Sequence, residues 1–136
     1  QFPNANCQLK MSMNAEEMKN RTKAFSLRVI QLVNALPKSS VARILGDQLL
    51  RSATYVAANY RAACKGRSRA EFIAKLGTVE EEADECQLWI ELIGDAGLMH
   101  RQLLGALLGE AKELTAIVAA SRKSAFRNRH RSQTSK

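Results

Sequence analysis

The 136-residue sequence is poor in the side chains from which reactive centres are built. It holds two histidines and three cysteines, too few and too scattered for a zinc cluster or a nucleophile with its imidazole base. Two prolines and seven glycines are little material for the closely spaced turns of an all-β domain of this length. Aromatic residues make up only 5%, so ring-stacking surfaces are scarce. No stretch approaches the roughly 18 to 20 apolar residues of a membrane span, and no signal-peptide pattern is visible. These shortages point away from an enzyme, a metal or cofactor site, and a membrane. The odd count of cysteines (Cys7, Cys64, Cys86) fits a reduced, cytoplasmic compartment, with Cys64 and Cys86 as small core residues.

What is abundant is helix-forming. Ala, Leu, Glu, Lys and Arg fill the middle of the chain, and 46% apolar with 25% charged residues suits one packed domain. The charge is unevenly placed. Of the formal net charge of +8, six units lie between Arg122 and Lys136, where Arg122, Lys123, Arg127, Arg129, Arg131 and Lys136 meet no acid. A nearly balanced body with a basic end reads as an arm for a polyanion, nucleic acid before an anionic membrane. A merely solvated tail is the plainer alternative.

Four helices are expected. Met18, Thr22, Phe25, Val29, Leu32 and Leu36 recur at steps of four and three over about Ala15 to Ala35, with Ile30 and Val33 widening the stripe. Pro37 ends the run. Ser39 or Ser40 caps a second helix reaching about Cys64, with Val41, Leu45, Leu49, Ser52, Val56, Asn59 and Ala63 inward. Gly66 is placed to close it in a left-handed conformation. Ser68 and Glu71 have capping-box spacing and open the third helix, whose stripe is Phe72, Leu76, Val79, Ala83, Cys86, Ile90 and Ile93. The fourth runs from about His100 to Ser124 with Leu103, Leu104, Leu107, Leu108, Ala111, Leu114, Ile117 and Val118 inward. Its Gly105 and Gly109 are expected to pack closely on a neighbour. Short connections between long helices imply an all-α, antiparallel, up-down-up-down four-helix bundle. The expected organisation is a disordered segment over 1–14 (Gln1 to Ser12 lying wholly outside the fold), a bundle over 15–124 and a disordered basic tail over 125–136.

Specific chemistries fail on their parts. A di-iron bundle needs Glu-x-x-His on two helices, but Gly97 stands three places before His100 and Arg127 before His130. No phosphate-cradling glycine loop is present. What remains is polar patterning. Helix three carries Glu80, Glu81, Glu82, Asp84 and Glu85, against Arg43, Arg51 and Arg61 on helix two and Lys65, Arg67 and Arg69 around the following loop. These fit two solvated faces with weak surface pairs. Lys75, Glu82 and Trp89, each seven apart, line one edge of the third stripe. Such a tryptophan suits either an oligomer interface or the periphery of a core.

The series Gln48-Leu49-Leu50-Arg51-Ser52-Ala53, Ala57-Ala58-Asn59, Ser68-Arg69-Ala70-Glu71-Phe72-Ile73-Ala74-Lys75-Leu76, Glu81-Glu82-Ala83-Asp84-Glu85 and Leu88-Trp89-Ile90-Glu91-Leu92, with Leu36-Pro37 before it, resembles the bacterial four-helix bundle proteins encoded in intervening sequences of 23S ribosomal RNA genes. The likeness covers roughly residues 18–120. The chain is also similar to the accessory protein of diversity-generating retroelements. The resemblance implies a homopentamer, nucleic-acid binding and, in the retroelement branch, a reverse transcriptase as partner. It also picks out Arg51, Ser52, Asn59, Lys75, Glu82, Glu85 and Trp89 as motif positions, with Arg51 and Glu82 or Glu85 as an ion pair within or between subunits. Tyr55 departs from the family's usual Ser, and Arg61 and Lys65 make the end of helix two more basic than in members with an acid there.

Two functions follow as expectations. The first is a non-catalytic oligomer that binds RNA or DNA phosphates through Arg61, Lys65, Arg67, Arg69, Arg122, Lys123, Arg127, Arg129 and Arg131. With Phe126 alone among the terminal arginines, its sequence preference is expected to be weak. The second is an interaction scaffold whose acidic patch and Trp89 dock a partner protein.

Overall fold

The computed structural model describes residues 13–135. They form four α-helices, and no strand occurs among the described residues: α1 (Ala15–Ala35), α2 (Ser40–Cys64), α3 (Arg69–Asp95) and α4 (Arg101–Thr134). The most extensive contacts are α2 on α3 and α3 on α4; α1 packs chiefly on α2 and only locally on α4.

The stripe expected on α3 is the stripe observed. Phe72, Leu76, Val79, Ala83, Cys86, Ile90 and Ile93 are all buried, as steps of four and three on a 3.6-residue helix require. Each large aliphatic side chain among them contributes about 1.5–3 kcal/mol by leaving water. Met18, Phe25, Val29 and Leu32 from α1, Leu49 and Val56 from α2, and Leu107, Leu114 and Val118 from α4 complete the same core.

On α2 one apolar residue expected inside, Val41, faces water. Val41 and Ile44 on α2 are both exposed, and Ala42 and Gly46 are buried in their place. Gly46 explains the rotation: a Cβ there would lie 3.1 Å from Leu36 Cδ1 and 3.3 Å from Val33 Cγ1, so its missing side chain lets α1 come close. On α4, Leu104 is buried and Leu103 exposed. Leu104 Cδ1 sits 3.1 Å from where Gly94 would carry a Cβ, which fixes that turn. Gly105 and Gly109 have open space around them, so the GxxxG spacing packs against nothing here.

The helix ends also differ from expectation. Gly97, with φ 71, is the left-handed residue among the described glycines, not Gly66. Leu98 N–H donates to Ile93 O at 3.1 Å and Gly97 N–H to Gly94 O at 3.0 Å, the paired bonds of a Schellman closure. Gly66 is instead crowded, since a Cβ would approach Ala63 O to 3.0 Å and Phe72 N to 3.4 Å. The Ser68 hydroxyl caps α3 by accepting from Glu71 N–H, but the Glu71 carboxylate accepts from Arg67 N–H rather than from Ser68, so that capping box is half made. The complete one belongs to Asn14 and Glu17 at the start of α1. Asn14 is thus ordered, whereas 1–14 was expected to be disordered; Gln1 to Ser12 lie outside the described residues.

The largest difference is at the C-terminus. The expected disordered tail over 125–136 is helical through Thr134, continuous with the rest of α4. Ser124 and Ala125 are buried, so core packing carries the helix past Val118, the last residue of the expected apolar stripe. Further on, the hydroxyls of Ser132 and Thr134 bond back to Asn128 O and His130 O. Lys136 lies outside the described residues. No described helix is long and apolar enough to cross a membrane.

Candidate nucleic-acid interface

The helical continuation of α4 turns a string of basic residues into a patterned face. Lys123, Arg127 and Arg131 follow one another at four-residue steps, about 6 Å of rise apiece, and all three are exposed. From Leu114 to the C-terminus the sequence has no acid, and none of these three side chains enters an ion pair among the described residues. Arg129, one step off that line, is half-buried.

Arg122 behaves differently. Its guanidinium meets both carboxylate oxygens of Glu80 on α3, at 3.0 and 3.1 Å. The charge is largely neutralised, and its Nε is buried without an acceptor. The expectation that Arg122 contacts phosphate is therefore weakened by its position: it clamps α4 to α3.

The remaining basic candidates lie around the end of α2. Arg61, Lys65 and Arg67 are exposed, whereas Arg69 is half-buried and already partnered within the chain. Side-chain pairs join α3 to α4: Gln87 bonds Thr115 and Glu80 bonds Arg122. Arg61 sits one turn before Lys65 and beside Lys23, lining a shallow α1–α2 groove of about 380 Å³ with Ser26, Thr54, Ala57 and Ala58.

The motif residues assemble separately, on the α2–α3 seam. Buried Ser52 donates to Glu85 Oε2 at 3.3 Å. Glu82 is raised above the ordinary carboxylate value, first by burial and then by the negative charge of Glu85, with Ser52 and Arg51 partly offsetting this. Between them Cys86 is pushed up to about 12, chiefly by burial, so it is an inert packing thiol. The expected Arg51–glutamate ion pair does not form within the chain: Arg51 lies over the Tyr55 ring, 5.3 Å from its centroid. Tyr55, the departure from the family pattern, therefore captures the arginine. Asn59 is half-buried and donates to Tyr55 O on its own helix, so it does not form the cross-helix network its seam position implied. Trp89 is half-buried and packed on the core, with Nε1 buried and lacking an acceptor. Lys75 is half-buried on the same helix.

Sequence reasoning missed the strongest ion pair. Arg21 on α1 donates through Nε and Nη2 to both oxygens of Glu110 on α4 at 2.7 Å, and Nη2 also reaches Glu113 at 2.7 Å. Nearly ninety positions separate the partners, and no local spacing announces them. Among the described residues no group of three His, Cys, Asp or Glu side chains could hold a metal.

Comparison with known proteins joins this geometry to a family. The profile of the 23S rRNA-intervening sequence proteins matches residues 15–120. A crystal structure at 1.70 Å resolution, of a protein of unknown function from the S23 ribosomal protein family of Bacteroides thetaiotaomicron VPI-5482, superposes with a TM-score of 0.75. It is 28% identical to this chain, over 80% of this chain and 97% of that one. No curated protein sequence matches.

Proposed function

The chain belongs to the 23S rRNA-intervening sequence protein family, and on that footing we propose that it is a non-catalytic, oligomeric polynucleotide-binding protein that grips phosphates with one basic end. RNA is the first candidate, because the family is named for an RNA insertion, and DNA the second. The observation that carries the reading is the acid-free end of α4, where Lys123, Arg127 and Arg131 stand exposed on one helix face with no carboxylate to neutralise them. Lys65 and Arg67 add exposed cations at the α2–α3 loop. Contacts of this kind position a backbone and carry little sequence information.

The architecture in this proposal is an antiparallel, up-down-up-down bundle that assembles into a homopentamer. The reversed order of the α3–α4 pairs and the short loops support the first part. Exposed Val41 and Ile44 on α2 and Leu88 and Leu92 on α3 support self-association, because apolar side chains on adjoining helices gain by burial against another surface. The number five rests on resemblance, as does a reverse transcriptase as partner.

The test is a titration of the full chain with labelled RNA and DNA across a salt series. Affinity falls linearly in log–log form, by about 0.7 per neutralised phosphate on a single strand and about 0.9 on a duplex. Removing 127–136, which leaves the buried Ser124 and Ala125 in place, weakens binding and flattens the slope. A stable oligomer that ignores both polynucleotides at low salt would instead favour a scaffold that docks a partner protein.

A further inference from the structure

Phe126 is the one aromatic side chain in the acid-free stretch that is neither buried nor imidazole. It is 49% exposed, so its ring is open to a ligand. His130, one turn on, meets it edge to face, with ring centroids 4.4 Å apart and planes at 65°. That contact gives the phenyl ring a packing partner on its own helix. Arg122, Lys123, Phe126 and Arg127 together line a groove of about 340 Å³. Its cations are not equivalent. Arg122 is held by Glu80 and forms part of the wall, while Lys123 and Arg127 flank Phe126 with free charge.

We propose that this groove receives an unpaired nucleobase stacked on Phe126, with the two neighbouring phosphates on Lys123 and Arg127, so that the protein prefers single-stranded to duplex polynucleotide. This inference rests on the polynucleotide reading above and narrows it to one strand form. An isolated phenyl ring between cations offers a base its π face at little cost in sequence tolerance, since every base has such a face. In a duplex the bases are paired and stacked, and the ring has nothing to receive.

The experiment measures affinity of the full chain for a labelled single-stranded 12-mer, as RNA and as DNA, and for the corresponding duplexes at equal phosphate concentration. The expected order is single strand above duplex in both chemistries, with any RNA–DNA difference identifying the preferred source of the base. Phe126→Ala and Phe126→Leu each lose on the order of tenfold for single strands, with the salt slope unchanged, because the lost contact is uncharged. Phe126→Trp restores binding. Lys123→Ala and Arg127→Ala act oppositely, each flattening the slope by about 0.7. Helicity by circular dichroism confirms that the exposed position leaves the fold alone. Duplex binding equal to single-strand binding, or Phe126 variants that bind like the parent, would overturn the stacking site while leaving phosphate binding intact. Failure of every polynucleotide to bind at low salt would overturn the parent reading as well.

Discussion

At Glu110 the guanidinium of Arg21 donates two hydrogen bonds of 2.7 Å, and this holds the carboxyl below its ordinary value of 4.5. At Glu82, burial and the neighbouring Glu85 push the same group the other way. The two therefore give stability opposite dependences on pH. The Glu110 contribution is complete above pH 4.5 and is lost as pH falls through its lowered folded value, because the unfolded chain then takes up protons first. Glu82 binds its proton more tightly when folded, so its penalty grows as pH rises from 4.5 through the raised value. Glu110→Gln should cost about 1–2 kcal/mol at pH 7, as expected for charge-assisted bonds that are partly screened, and less in acid. Glu82→Gln should stabilise at pH 7 and change little below 4.5. Urea unfolding at a series of pH values reads both; a Glu82→Gln protein no more stable than the parent at neutral pH would remove the buried-carboxylate account.

Among the elements, α4 has two parts with different tasks. The Arg122–Glu80 clamp and buried Ala125 fasten it to α3, while Lys123, Arg127 and Arg131 stand off the body. The distinction predicts separable phenotypes. Arg122→Ala should lower stability by about 0.5–1 kcal/mol, the scale of a half-exposed pair, and leave the salt slope of binding nearly unchanged. Arg127→Ala should do the reverse. Thermal melts and anisotropy on the two variants decide it, and equal loss of binding in both would return Arg122 to the phosphate-contacting set. The sequence announced much of this level. The stripe on α3 and the starts and ends of α1 and α2 follow from periodicity, Pro37 and the Ser39 cap, all local signals. What it concealed depends on distant neighbours: Gly46 turning α2 so that Val41 faces out, Arg21 finding Glu110, and core packing at Ala125 keeping α4 helical into a stretch whose composition reads as a tail. The basic candidates were legible as charges; which of them are free was not, because Glu80 and the partner of Arg69 are chosen by the fold.

For the molecule as a whole, four of the exposed apolar side chains lie on different helices from the exposed cations of α4. Val41 and Ile44 lie on α2 and Leu88 and Leu92 on α3, whereas the free cations stand at the end of α4 and around the α2–α3 loop. On the proposed function, assembly and polynucleotide binding should then be separable, with assembly multiplying weak phosphate contacts by bringing several basic ends onto one strand. Ile44→Glu should lower the native mass toward that of one chain without loss of helicity, and weaken binding to long RNA far more than to a 12-mer. An unchanged mass would move the self-association surface elsewhere.

Trp89 is the chain's single tryptophan. Its indole is half in the core and half toward the side of α3 that carries Leu88 and Leu92, and its ring nitrogen has no acceptor of its own. The molecule consequently carries a built-in optical gauge: ultraviolet emission from one site, sensitive to how wet that seam is, would report the proposed coming together of subunits without any dye being attached.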